Sequence, residues 1–283
     1  MTTFIALVRR PARSLAEHCE LTFLERMPMA FDALDRQHQA YCDALQAAGA
    51  KVLVLDAIEA LPDSVFVEDA AVVLDDVAIL ALPGAASRQP EPARVGSEMA
   101  NYREQRECIL ALGTLEGGDV LRIGNTLFVG LSTRTNRAGI EQLAAIVRRY
   151  GYDVVPVEVH GSLHLKTACT ALDANTVLLN PAWIDTAAFA GFDRIAVVED
   201  EPFAANVLAV GSALFNGTLF NSTLFNSTLI VNAAFPRTLE RVHAHARISG
   251  QRIIPVDISE FGKAEAGLTC MSLVFSNADN SDA

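Results

Sequence analysis

Apolar residues along this chain come in short alternating runs divided by glycine, asparagine and aspartate, and each pair of runs precedes a stretch with helical spacing. The clearest case is 118–129, where Gly118-Asp-Val-Leu-Arg-Ile-Gly124-Asn125-Thr-Leu-Phe-Val129 reads as strand, Gly-Asn turn, strand. Behind it Ile140, Leu143, Ala144, Ile146 and Val147 recur on one helical face, which predicts a helix over 138–150. Gly151 ends that helix, and 152–157 predicts a further strand.

The same order recurs. Residues 65–82 predict a hairpin with Asp75 and Asp76 at its tip, followed by a helix around 98–112. Residues 166–180 predict a hairpin turning at Asp173-Ala-Asn175, then a short helix near Asp185 and a strand over 194–198. Residues 206–231 begin as a hairpin, with a helix over 236–246 and a strand over 252–256. The fifth unit joins both ends of the sequence: 268–275 would pair with 4–8, followed by a helix over 31–48, ended by Gly49, and a strand over 51–55. Units that cannot bury their apolar faces alone predict a radial, closed arrangement like a propeller. Joining the last strand to the first would remove an exposed sheet edge. An open mixed α/β sheet is the alternative.

One segment breaks the pattern. A five-residue phrase built on Leu-Phe-Asn repeats through 214–229, a period that fits neither strand nor helix and predicts an expanded hairpin tip over 212–230. It is apolar, uncharged and prone to self-association. Residues 1–275 are read as one domain and 276–283 as a disordered tail.

With 51% hydrophobic and 20% charged residues, the 283-residue chain can build a sizeable core, and global disorder is excluded. Its net charge of -12 argues against nucleic acid or an anionic membrane as the main partner. No apolar run approaches the roughly 18 residues that span a bilayer, and the N-terminal apolar run is too short for a signal sequence. Five scattered cysteines without a Cys-x-x-Cys pair read as free thiols in a reducing compartment, the cytoplasm.

Several residues could carry chemistry. Cys270 stands at a strand entrance after Gly267, whereas Cys169 lies within a strand and suits packing. His164 lies in an apolar strand approach, directly before Lys166's neighbour Leu165. His160 is four residues away, but Gly161 and strand-like flanks argue against a helical metal pair, and no metal or organic cofactor is expected. Glu116 precedes the pair Gly117-Gly118, which permits close backbone approach. Asp63, Glu68 and Asp69 bracket the apolar run Val65-Phe66-Val67, and carboxylates in such a setting need partners. Arg88 and Arg134 each follow a strand end, where a guanidinium could grip a carboxylate or stay solvated.

Six short motifs in this order resemble the dimethylarginine dimethylaminohydrolases of the guanidino-group-modifying superfamily: 62–69, 83–88, 113–119, 133–136, 163–166 and 268–272. The resemblance implies a five-bladed α/β propeller of ββαβ units with pseudo-five-fold symmetry. It implies Cys270 as nucleophile, His164 as proton donor and Glu116 as the carboxylate beside the imidazole. Asp69 with Glu68 would hold guanidinium nitrogens, and Arg88 and Arg134 the α-carboxylate. Asp63, with the carbonyls of Leu21 and Ala264, would hold the α-amino group. The implied partner is a small cationic guanidino amino acid, with a homodimer allowed. The implied reaction turns Nω-methylated arginine into citrulline and an alkylamine through a covalent thiouronium. Arginine deimination, amidino transfer and a non-enzymatic binding module are the alternatives. The chain departs from the family at the 214–229 repeat and at Phe23, where a histidine is expected.

Overall fold

The computed structural model describes residues 2–211 and 227–278, and among them the chain forms five three-stranded sheets. In chain order the strands are β1 (Thr2–Arg9), β2 (Lys51–Leu55), β3 (Ala71–Val73), β4 (Val77–Leu80), β5 (Gln105–Cys108), β6 (Val120–Ile123), β7 (Thr126–Leu131) and β8 (Asp153–Glu158). They continue as β9 (Cys169–Ala171), β10 (Thr176–Leu179), β11 (Asp193–Ala196), β12 (Leu208–Val210), β13 (Thr228–Asn232), β14 (Arg252–Val256) and β15 (Ser272–Ala278). The sheets are β15-β1-β2, β3-β4-β5, β6-β7-β8, β9-β10-β11 and β12-β13-β14. In each, the middle strand has one antiparallel and one parallel neighbour.

That alternation follows from the connections, because a tight turn can join only antiparallel strands while parallel ones need a crossover. The crossovers carry the helices Phe31–Ala47, Glu91–Met99, Arg137–Val147 and Pro236–Ser249, and in the fourth unit the single turn Thr186–Phe189. Burial falls from the first strand of each sheet to the last: β3 and β9 are almost wholly buried, while β2, β5 and β14 have exposed positions. Pro156 in β8 and Pro255 in β14 fit this outer place, where no further strand asks for a backbone N–H. The fold is the five-bladed α/β propeller expected, and pairing of Thr2 with Ala278 through Val8 with Ser272 closes its ring.

The structure corrects several boundaries. The helix expected around 98–112 ends at Met99, and Gln105–Cys108 is a strand on the outside of its sheet. Its polar side chains hide it from a search for apolar alternation. The hairpins expected from Val65 and Lys166 begin instead with helical turns and shorter strands. The tail expected from 276 starts too early: Ser276, Asn277 and Ala278 pair with Phe4, Thr3 and Thr2, because β1 still offers ladder partners there. The expanded hairpin tip lies outside the described residues over 212–226, flanked by the paired strands β12 and β13.

Candidate active site

Four of the five units begin with a single helical turn directly before their innermost strand. These are Val67–Ala70 before β3, Gly117–Asp119 before β6, Leu165–Ala168 before β9 and Thr269–Met271 before β15. The turns, or the residue preceding them, carry Glu68 and Asp69, Glu116, His164 and Cys270. Ring closure therefore gathers residues far apart in sequence at one place on the propeller axis.

A cavity of about 20 Å³ is lined by Cys270, His164, Asp63, Asp69, Arg88, Arg134 and Ala264 among others. Seven of the ten site residues expected from the sequence thus meet on one wall. The Cys270 sulfur accepts from the Gly267 amide at 3.4 Å. Burial pushes its thiol pKa up, and the charges of Glu68 and Asp69 push in the same direction.

His164 precedes its helical turn in extended backbone, and its ring is fixed by carboxylates. Nε2 lies 2.7 Å from Glu116 Oε2 and Nδ1 3.9 Å from Asp69 Oδ1. Burial alone would lower its pKa, but the Asp69 charge, the Glu116 hydrogen bond and the Asp119 charge outweigh it and raise the value to about 9. The imidazole is thus held as imidazolium at neutral pH. Glu116 is fully buried behind it, and Gly84 N donates to its other oxygen at 3.0 Å. Glu116 is also buried, yet its hydrogen bond to His164 keeps its carboxyl below the usual range.

The glycine pair beside Glu116 is needed for these approaches. A Cβ on Gly118 would lie 2.6 Å from His164 Nδ1 and 2.7 Å from Asp69 Oδ1, and one on Gly117 1.9 Å from the Glu68 carbonyl oxygen. Gly118 N also donates to Asp69 Oδ1 at 3.0 Å.

Two of the expected residues stand apart from this wall. Glu68 does not line the Cys270 cavity: its carboxylate accepts from Lys166 Nζ at 2.5 Å and from Thr269 Oγ1 at 2.8 Å, and it lines a separate cavity of about 140 Å³. Consecutive residues in a 3₁₀ turn point about 120° apart, so Glu68 and Asp69 face different ways. Leu21 is half-buried against the first-sheet core and is not part of the cavity wall, whereas its neighbour Glu20 is.

Arg88 reaches the wall but is already engaged. Its Nη1 donates to Asp69 Oδ2 at 2.7 Å and its Nη2 to Glu91 Oε2 at 2.9 Å. Burial, opposed by the Arg88 charge, raises Glu91 to about 7. Arg134 is less committed, with Nη2 donating to Thr22 Oγ1 at 2.9 Å. Asp63 accepts from Glu20 N at 3.1 and 3.3 Å, and burial raises its pKa.

Asp69, Glu116 and His164 offer ligand-type atoms within 4.8 Å of one another, a set that could in principle hold a metal. Arg88 Nη1 already stands 2.7 Å from Asp69 and 3.9 Å from Glu116. Asp69 is thus already paired with Arg88 and Glu116 with His164, and a protonated ring has no lone pair for a metal, so the set works as an ion-pair cluster rather than a ligand set.

Sequence reasoning missed Glu20, Glu91, Asp119 and Glu265. Asp119 accepts from Leu165 N at 2.9 Å and from Ser132 Oγ at 2.7 Å, fixing the turn after His164. Its place in Gly117-Gly118-Asp119 was the available signal. Glu91, three residues after Arg88, was readable as an i,i+3 pair.

A family model described as arginine deiminase matches residues 90–210. The chain is 39% identical over 268 residues to N(G),N(G)-dimethylarginine dimethylaminohydrolase of Streptomyces coelicolor, covering 95% of each sequence. It is 36% identical over 270 residues to the Pseudomonas aeruginosa enzyme of that name, covering 95% of this chain and 98% of the other. A solved structure of a cysteine-to-serine mutant of the P. aeruginosa protein, complexed with citrulline, superimposes with a TM-score of 0.83 at 33% identity, covering 96% of this chain and all of that one.

Proposed function

The chain belongs to the dimethylarginine dimethylaminohydrolase family, and we propose that it hydrolyses Nω-methylated L-arginine to L-citrulline and methylamine or dimethylamine. The observation that carries the reading is the meeting of the Cys270 sulfur, the His164 imidazole and the Asp69 carboxylate on one cavity wall.

The substrate enters as a guanidinium cation. Its charge beside Cys270 offsets the acids that hold the thiol protonated, so the thiol gives its proton to solvent water as the cation binds and the resulting thiolate attacks the guanidinium carbon. Asp69 exchanges the Arg88 guanidinium for that of the substrate, keeping it planar and electrophilic. Arg88 Nη1 is thereby released to join Arg134 on the α-carboxylate, while Asp63 and the Ala264 carbonyl take the α-amino group. His164 gives its proton to the departing amine as the carbon–nitrogen bond breaks, leaving a Cys270-linked thiouronium. The neutral imidazole then accepts a proton from the water that attacks this carbon, and the Cys270 sulfur leaves as citrulline forms. Glu116 steadies the imidazolium throughout.

Two cationic grips on a carboxylate suit an amino acid rather than agmatine. Arginine itself is the second reading, favoured by the arginine deiminase match over 90–210. The five free cysteines are consistent with cytoplasmic residence, and no helix among the described residues is long and apolar enough to cross a membrane. Pairing of two copies belongs to the reading and is checked by sedimentation.

The test is citrulline release from monomethylarginine, asymmetric dimethylarginine, arginine and agmatine, with Cys270→Ser beside the parent. Turnover of the methylated substrates by the parent alone is expected, with a quenched adduct mapping to Cys270. Turnover of arginine without the methylated forms would overturn it in favour of the second reading.

A further inference from the structure

The Cys270 cavity has room for about one water molecule, so an amino acid substrate cannot occupy it with the surrounding chain as it stands. Glu20 lines it at the start of the loop 20–24, in which Thr22 and Phe23 face solvent. One side chain gathers the backbone of that loop. The Glu265 carboxylate accepts from Thr22 N at 3.0 and 3.1 Å, from Phe23 N at 2.5 Å and from Leu24 N at 2.6 Å.

Glu265 does this from an unfavourable backbone position. Its φ is 59°, in the left-handed region, which glycine adopts readily and a glutamate holds only when its surroundings fix it there. Its neighbours Ala264 and Ala266 line the cavity with it. The loop is also bonded to the groups expected to grip substrate: Glu20 N donates to Asp63, and Arg134 donates to Thr22 Oγ1. Opening the loop therefore removes these bonds to Asp63 and Arg134 in the same movement, leaving Arg134 its 3.8 Å contact with Glu116 Oε1. On the other side of Glu265 lies a second cavity of about 210 Å³, lined by Leu24, Phe203, Phe235 and Ile258 among others, which gives the loop and the released carboxylate space to move.

We propose that Glu265 is a positioning residue: its carboxylate latches loop 20–24 over Cys270, lets go as a cationic amino acid enters, and re-forms its bonds to close the site. The latch itself stands on the loop geometry, and only the identity of what passes it rests on the hydrolase reading.

Glu265→Gly separates the latch from folding. It removes the carboxylate and places glycine where the backbone favours glycine, so the thermal midpoint should stay at or above that of the parent. Amide hydrogen exchange in peptides spanning 20–26, measured without substrate, should become at least tenfold faster. Peptides from the helix Arg137–Val147 should be unchanged. Alkylation of Cys270 by iodoacetamide should quicken several-fold. With substrate, KM should rise tenfold or more while kcat falls less than threefold. Glu265→Gln, which keeps the reach and an acceptor oxygen, should restore part of each effect. Unchanged exchange over 20–26 in Glu265→Gly overturns the proposal, as does faster exchange throughout the protein with a lowered midpoint. Exchange and alkylation need no substrate, so a parent inactive on methylarginines would sink the functional reading and leave the latch standing.

Discussion

Glu116→Gln probes the proton donor. Raising His164 from 6.5 to about 9 amounts to roughly 3 kcal/mol in favour of imidazolium. Burial acts against that form, so the surrounding carboxylates supply more than this between them. Glu116 makes the shortest contact, 2.7 Å. A charge-assisted hydrogen bond contributes about 1.5–3 kcal/mol and a neutral one about 1 kcal/mol. Exchanging carboxylate for amide therefore removes roughly 1.5 kcal/mol, about one pH unit. His164 would then release its proton near pH 8 instead of about 9. The reaction uses the protonated ring, so activity is present below this value and lost as pH rises through it. The variant should keep near-parental kcat at pH 6.5 and fall about fivefold below the parent at pH 9. Citrulline release at saturating substrate between pH 6 and 10 would show the moved limb, and NMR of labelled histidine would report the same shift without substrate. The stability sign agrees: a folded value raised above the unfolded one stabilises fully below pH 6.5, and that contribution disappears as pH rises through about 9. An alkaline limb unmoved from pH 9, with equal loss at every pH, would place the proton donor elsewhere.

Gly118→Ala should lose about 1–3 kcal/mol of stability in urea titration and most of its activity, because the added Cβ meets His164 and Asp69 at under 3 Å. Glu91→Ala leaves the buried Arg88 guanidinium with one hydrogen-bonded carboxylate, Asp69, instead of two and should cost about 3 kcal/mol, read as a lower denaturation midpoint. Tyr41→Phe removes the buried 2.7 Å hydrogen bond to Ser272, at the start of the strand that follows Cys270. It should cost about 1 kcal/mol, with kcat changed little.

The propeller was legible because three crossovers carry helices readable at 31–48, 138–150 and 236–246 and because 268–275 and 4–8 both read as apolar strands. What stayed hidden is where structure overrides pattern. β5 is Gln-Arg-Glu-Cys, an outer strand whose side chains need no apolar alternation, so it merged with the helix before it. The inner helical turns are too short to show a period, and their dihedrals decide where side chains point. That is why Asp69 lines the Cys270 cavity and Glu68, one residue away, lines another. Cys270, His164, Asp63, Arg88 and Arg134 were recognisable from their local motifs. Glu265 was not, since nothing in Ala264-Glu265-Ala266 announces a left-handed glutamate or the three amides that converge on it.

The seam between β15 and β1 ties the making of the reactive centre to the making of the whole chain. Cys270 is set by the turn that leads into β15, whose ladder partner β1 lies at the far end of the described residues, so the thiol's setting depends on contacts of very long sequence separation. Nascent fragments lacking that last strand would carry His164 and the acids without any sulfur to work with. The reactive centre is thus complete only where the β1–β15 seam is zipped.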